Sequence, residues 1–368
     1  MEKLPTKGNL AQETCQVLKD WILRGILSEN LPGELTLKRR LCVGRDTLRQ
    51  ALKLLTEDGW ISEATKGKPR LIQVRQASLP APEPEADESP LPIAFISPFR
   101  VEPRVTFVEF EETLQHLASK GRRMLFFSPD VFHLAQPGHH LERLVQSTPA
   151  AAWILHATSE PMQRWFDQSG LPAFLYEMPY PGVKLPYVAC DWGAAAFHAG
   201  LQLLRQGHRT IGILEYTERR PGLVADEEGL KQALATVKED ARLMVFHDDL
   251  TPAGVARSLD AALKARPRPT ALILTRSSQV ATCYSWLANR GISIPGDISL
   301  ISLPNDTWFC DLYPPICYYN PDTGFMSRKI AERMLELIDT GHITHKSILC
   351  PLNFSAGGSI GPAPTKAS

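Results

Sequence analysis

The sequence has no run of about 18 apolar residues, so no segment of it reads as a membrane span. Its seven cysteines show no C-x-x-C spacing, and an odd count without a framework argues for reduced thiols in a cytosolic protein. No basic-then-apolar leader opens the chain, so secretion is not expected. There is no phosphate loop and no Gly-x-Gly-x-x-Gly. His139-His140 has no metal-ligand spacing. His247-Asp248-Asp249 follows a strand-like run, where neighbouring side chains point to opposite sides and read as solvated charge. No metal or cofactor is expected. No convergent nucleophile–base set is visible either, so the chain does not read as an enzyme.

Net charge is also missing: 40 Lys+Arg balance 40 Asp+Glu. The balance hides a division. Residues 1–75 carry 14 basic against 9 acidic side chains, whereas residues 76–91 carry four acids and no base. A basic excess confined to one end fits a nucleic-acid-contacting head. Five prolines between 80 and 92, among those acids, predict an extended linker that buries no core. With 368 residues and 43% hydrophobic content, three parts are expected. They are a small head at 1–75, the linker at 76–91 and a large globular body at 92–362.

In the head, Val17, Leu18, Trp21, Ile22 and Ile26 recur at helical spacing over 11–27. Leu31-Pro32-Gly33 turns the chain, and 34–41 reads as a second, short helix. A third helix spans 45–58, with Leu48, Leu52 and Leu55 facing inward and Gly59 at the position that favours a left-handed cap. Residues 60–62 and 71–74 read as two short strands joined by a wing at 65–69. This order is a winged helix-turn-helix, whose third helix enters the DNA major groove. Arg45, Thr47 and Arg49 at the start of that helix suit base edges and phosphates. Lys66, Gly67 and Lys68 form the wing tip, and Lys38, Arg39 and Arg40 add positive charge.

These residues resemble the GntR (gluconate-repressor-type) winged-helix family. Leu31, Pro32, Gly33, Glu34, Leu37, Val43, Arg45, Thr47, Leu48, Arg49, Ala51, Leu52, Gly59 and Trp60 match its pattern without a gap. The resemblance implies a double-stranded DNA operator as partner, with contacts at Arg45, Thr47, Arg49 and Lys66-Gly67-Lys68. One departure is Gly44, which stands where a Ser or Thr usually caps the recognition helix.

In the body, strand-like runs at 93–96, 124–127, 152–155, 173–175, 210–214, 243–246, 271–274 and 298–301 alternate with helical patterns. Those patterns lie at 107–120, 191–206, 226–238, 252–265 and 278–290, and a last long helix opens at Gly324. Such alternation predicts an α/β fold with parallel sheets covered on both faces. About ten strands are too many for one sheet, so two sheets with a cleft between them are expected. Gly207-His208-Arg209-Thr210-Ile211 and Gly291-Ile292-Ser293-Ile294-Pro295-Gly296-Asp297-Ile298-Ser299 resemble the effector domain of the lac-repressor/galactose-repressor family. That domain is itself periplasmic-binding-protein-like.

The resemblance implies two Rossmann-like lobes with a ligand at the strand C-termini between them. The candidate contacts are Phe99, Ser128, His156, Asp191, Tyr216, Asp226, Arg276, Ser278 and Asn305. Further candidates are Ser97, Thr158, Trp192 and Glu215. Asp226 stands where sugar-holding members usually carry an Arg, and Ser277-Ser278 stands where they carry Asn-Asp. A carbohydrate-derived effector, an unusual one, and a body that is only a dimerisation scaffold therefore stay open. The expected whole is a cytoplasmic transcription regulator, a repressor by default, acting as a homodimer.

Overall fold

The computed structural model describes residues 11–364, apart from 13, 16, 20–21, 23–30, 42, 64–69, 73–89, 99–112, 114, 130 and 345–346. Lys66, Gly67, Lys68, Phe99 and most of the expected linker therefore lie outside the described residues. The chain divides into two compact units, Met1–Glu88 and Ser89–Ser368.

The amino-terminal unit has helical residues between 11 and 22, then α1 (Glu34–Leu41) and α2 (Arg45–Glu57). Leu18, Leu37, Leu48, Leu52, Leu55 and Ile61 pack into one core, so the inward face expected of the third helix is the buried one. Gly44 caps α2 with no side-chain bond. Gly59 takes φ 74° and ends the helix in the left-handed conformation that glycine enters freely. Of the two expected wing strands, the described residues show an antiparallel bridge from Ile61 to Ile72; 64–69 and 73–74 lie outside the described residues.

The second unit contains two six-stranded sheets, in place of the roughly ten strands expected. Sheet 1 uses β1 (Ile93–Ile96), β2 (Met124–Phe127), β3 (Ala152–Leu155), β4 (Ala173–Leu175), β5 (Tyr187–Cys190) and β11 (Ser347–Cys350), in the order β11-β5-β4-β3-β1-β2. Sheet 2 uses β6 (Thr210–Tyr216), β7 (Arg242–Asp248), β8 (Ala271–Leu274), β9 (Ser299–Ser302), β10 (Cys317–Pro321) and β12 (Leu352–Ser355), in the order β12-β10-β9-β8-β6-β7. Neighbours are parallel except β12, which runs antiparallel to β10.

The helices of this unit are α3 (Gly138–Ser147), α4 (Glu160–Ser169), α5 (Trp192–Arg205), α6 (Pro221–Leu234), α7 (Pro252–Lys264), α8 (Ser277–Ala288) and α9 (Thr323–Thr340). Strands β1, β3, β8 and β9 are buried at every residue, as parallel strands covered on both faces must be. Alternate residues feed opposite layers. Ile93 and Phe95 pack with the α9 residues Met326 and Ile330, whereas Ala94 and Ile96 pack with Leu141 of α3 and Phe166 of α4. Likewise Ile211 and Ile213 face α5 and α6, while Leu214 faces α7 and α8.

Several boundaries differ from expectation. The helix placed at 226–238 begins at Pro221, because proline fits the first helical turn, where its missing N–H costs nothing. The helix expected at 278–290 spans Ser277–Ala288, so Ser277 and Ser278, after β8, form the first turn of α8. Of the helix expected at 107–120, only 113 and 115–118 are described as helical.

The chain passes between the lobes three times. It leaves sheet 1 at Cys190 and enters α5 on sheet 2. It leaves sheet 2 at Pro321 and enters α9, which packs on sheet 1. It crosses again between Cys350 and Leu352. The first and third passages are tied by the Asp191 N–H donating to the Cys350 carbonyl at 2.8 Å.

Candidate effector cleft and DNA-facing helix

Parallel strands followed by helices expose their C-terminal ends at one edge of each sheet, and that edge is where open α/β sheets hold ligands. In sheet 1 this edge carries Ser97 after β1, Ser128 after β2, His156 after β3, Glu177 after β4 and Asp191 after β5. In sheet 2 it carries Tyr216 at the end of β6 and 217–220 after it, Asp248 at the end of β7, Arg276 after β8 and Asn305 after β9. The two edges meet: Arg220 Nη1 donates to the Ala157 carbonyl at 3.4 Å. Ala157 holds φ 50°, an uncommon value for a residue with a side chain.

The sheet 1 rim is built around two buried titratable groups. The Ser97 hydroxyl lies 3.1 Å from His156 Nδ1, and the imidazole stacks on Tyr176 with centroids 5.0 Å apart. Burial, and secondarily the charge of Arg220, pushes His156 down to about 4. Glu177 accepts from the Thr158 N–H at 2.8 Å and from the Thr158 hydroxyl. Burial pushes its carboxyl up to about 7, against the pull of those bonds, of Gln163 and of Arg220.

The sheet 2 rim holds a second ionic group. Asp248 has a fully buried side chain that pairs with Arg276. It also accepts from Gln279 Nε2 at 2.7 Å and from the Leu250 N–H at 2.8 Å. This corrects the reading of 247–249 as solvated charge. His247 and Asp249 are exposed, but Asp248 faces inward because Arg276, remote in sequence, neutralises it. Asp249 uses its carboxylate on the Thr251 N–H and hydroxyl, ahead of α7.

The remaining candidates divide by environment. Asp191 caps α5, accepting from the Ala194 N–H at 3.0 Å. Arg276 Nη1 donates to Ser278 Oγ at 3.2 Å. Ser128, exposed, donates to the Pro98 carbonyl at 3.2 Å, Asn305 is exposed and Tyr216 half-buried. Asp226 is 5% exposed, inside α6. Glu177 and Arg220 were not singled out as contacts from sequence, since each sits in an unpatterned loop. In the carboxyl-terminal region, Gly357-Gly358-Ser359-Ile360-Gly361 is a Gly-x-Ser-x-Gly run. Its Ser359 is fully buried, donates to the Leu300 carbonyl and accepts from the Cys317 N–H, so its hydroxyl is spent on structure. His208 is spent likewise, with both ring nitrogens held by Thr270, Ser299 and the Gly361 carbonyl.

In the amino-terminal unit, Arg45 opens α2 and is exposed, Thr47 is half-buried, and Arg49 makes an exposed ion pair with Glu34 at 3.3 Å. An exposed pair of that kind contributes little stability and yields readily to a phosphate. Arg39 and Arg40 lie on α1. Among the described residues no helix is long and apolar enough to cross a membrane, and no cluster of three His, Cys, Asp or Glu could hold a metal ion.

Residues 201–360 match the family model of the periplasmic binding protein-like domain. The arabinose metabolism transcriptional repressor of Geobacillus stearothermophilus is 24% identical over 354 residues, covering 91% of this chain and 92% of that protein. A match over that share of the chain extends beyond Ser89–Ser368 into the amino-terminal unit. The repressor CytR of Escherichia coli K12 is 26% identical over 203 residues, spanning 54% of this chain and 59% of that protein. Among solved structures, a LacI family transcriptional regulator from Enterococcus faecium with bound ribose covers 73% of this chain and 98% of its own, with a TM-score of 0.60 and 17% identity. CcpA of Lactococcus lactis gives 0.63 over 74% of this chain and 99% of its own, at 14% identity. The chain therefore carries a periplasmic-binding-protein-like domain and shares its two-sheet α/β fold with LacI-family transcriptional regulators.

Proposed function

We propose that this chain is a sequence-specific DNA-binding transcription regulator, a repressor by default, whose affinity for its operator is set by a small molecule in the interlobe cleft. The observation that carries the reading is the union, in one chain, of a helical amino-terminal unit opening α2 with an exposed Arg45 and a two-lobed body with facing strand-end rims. The near full-length likeness to a transcriptional repressor supports it.

In this reading the head is a GntR-type winged helix. Arg45, Thr47 and Arg49 contact bases and phosphates, Lys66-Gly67-Lys68 forms the wing contact, and Arg39 and Arg40 add attraction. The body at 92–362 joins two copies into a cytoplasmic homodimer, so that two recognition helices meet half-sites about one helical turn, or a multiple of it, apart. Closure of the lobes on a ligand changes that spacing, and a coupling of about 1–3 kcal/mol suffices for control. His156, Asp191, Tyr216, Asp226, Arg276, Ser278, Ser128, Phe99 and Asn305 are the proposed effector contacts, joined by Glu177 and Arg220. Polar atoms buried at the rims without a partner among the described residues, such as Arg220 Nε and Arg276 Nε, favour a ligand over a bare scaffold.

Selection of bound duplex from a random pool tests the function, with a palindromic winner expected. Arg45→Ala is expected to abolish specific binding while the circular dichroism spectrum stays that of the parent. Unchanged operator affinity in that variant, or the absence of any preferred duplex at low salt, would overturn the reading.

A further inference from the structure

Two buried carboxyl groups, on β6 and α6 of the sheet 2 lobe, form no ion pair among the described residues. Glu215 is the penultimate residue of β6, and Asp226 lies in the second turn of α6, the helix that follows the loop holding Arg220. Glu215 thus lies one residue before the strand-end edge of sheet 2, and Asp226 six residues beyond Arg220, which reaches the opposite lobe. Glu215 is 2% exposed and Asp226 5%. Glu215 Oε1 and Asp226 Oδ1 each lack a hydrogen-bond partner among the described residues. The third acid nearby is different: Glu227 is answered by Lys231 at 3.0 Å and Arg219 at 3.5 Å. Those two cations are more than half exposed and are committed to Glu227.

Resting on the reading of the cleft as an effector site, we infer that Glu215 and Asp226 together bind a protonated amine of the effector. The chemistry selects the ligand. An ammonium brings several N–H donors and one positive charge. It satisfies both unpartnered oxygens and cancels the repulsion between two adjacent acids. A neutral hydroxyl offers a single donor and leaves the charge. Burial and the neighbouring acids raise both carboxyls, Glu215 to about 7 against the pull of Arg219 and Lys231, so the pair retains a proton near neutrality. Ammonium binding releases that proton to the buffer. A buried polar atom without a partner is unfavourable, and a ligand that donates to it removes that cost.

The test uses the full chain and matched probes: glucosamine with glucose, ethanolamine with ethylene glycol, and putrescine with 1,4-butanediol. Melting midpoints and calorimetric titrations are recorded at pH 7.5 for the parent, Glu215→Gln and Asp226→Asn. At least one amine is expected to bind tenfold or more above its hydroxyl twin, roughly one charge-assisted hydrogen bond's worth of preference. Both variants are expected to erase that preference, and without any ligand both are expected to melt above the parent at pH 8. The inference is overturned if no amine outdoes its twin, or if the preference survives in both variants. It is equally overturned if both ligand-free variants melt below the parent, because the pair would then be a structural hydrogen-bonded couple. Duplex selection keeps the two readings apart: a chain that selects DNA but prefers no amine loses only the ligand class.

Discussion

Burial holds His156 and Glu177 away from their ordinary titration, and each thereby couples stability to pH. His156 stays neutral down to about 4 in the folded chain, whereas an unfolded chain protonates it near 6.5. Between those values the unfolded state holds more protons, so the His156 contribution to stability is complete above 6.5 and is lost as pH falls toward 4. Glu177 acts in the opposite sense. Held at about 7 against an ordinary 4.5, it lowers stability as pH rises through that window. The two slopes overlap between 4.5 and 6.5 and partly cancel in the parent. Replacing one group separates them. His156→Gln is expected to gain about 2–3 kcal/mol relative to the parent between pH 7 and pH 4, read from denaturant midpoints across the range. A constant difference between the two proteins at all pH values would remove His156 from the response. Sequence alone pointed to His156 and Asp226 as residues at strand and helix ends. It gave no sign that Asp248 is buried, because its partner Arg276 lies on another strand's loop and only the fold brings them together.

At the scale of elements, local pattern located the strands that are buried on both faces, since Ile93–Ile96, Ala152–Leu155 and Ala271–Leu274 are unbroken apolar runs. It missed the short β5, β10, which carries Asn320 and Pro321, and the edge strands β11 and β12, where a polar residue on an uncovered face blurs the signal. It also passed over α3 and α4, which are polar along much of their length. The contact between α5 and α6 was equally invisible, because it depends on two glycines far apart in the chain. A Cβ on Gly229 would lie 2.1 Å from the Gly193 carbonyl oxygen and 3.1 Å from the Phe197 nitrogen. Both obstacles are backbone and cannot step aside. Gly229→Ala is therefore expected to force the two helices apart and to cost about 3 kcal/mol, measured by chemical denaturation. Because both helices begin at the cleft edge, ligand binding is expected to fall with stability. A variant that keeps the parent's midpoint would show that the helices are not held so closely.

At the scale of the whole molecule, the cores are separate. Leu18, Leu37, Leu48, Leu52 and Leu55 form one within Met1–Glu88, and the clusters around the two sheets all lie within Ser89–Ser368. Separate cores predict separate melting. Leu52 is 1% exposed, so Leu52→Ala is expected to destabilise the amino-terminal unit by about 2–5 kcal/mol. Calorimetry is expected to show one transition displaced and the body's transition unmoved. Displacement of both together would mean that the units unfold as one. Within the body the opposite holds. Sheet 1 takes its outer strand from 347–350 and sheet 2 takes one of its edges from 352–355, so a single short stretch finishes both. A ribosome making this chain has synthesised nearly all of both lobes before that stretch leaves the exit tunnel. Until then the β5 and β10 edges stand open on the nascent polypeptide, ready to pair with the wrong neighbour. A stop codon near 345 would accordingly spoil two lobes at once, and a chaperone that shields bare strand edges would matter most while that stretch is still unmade.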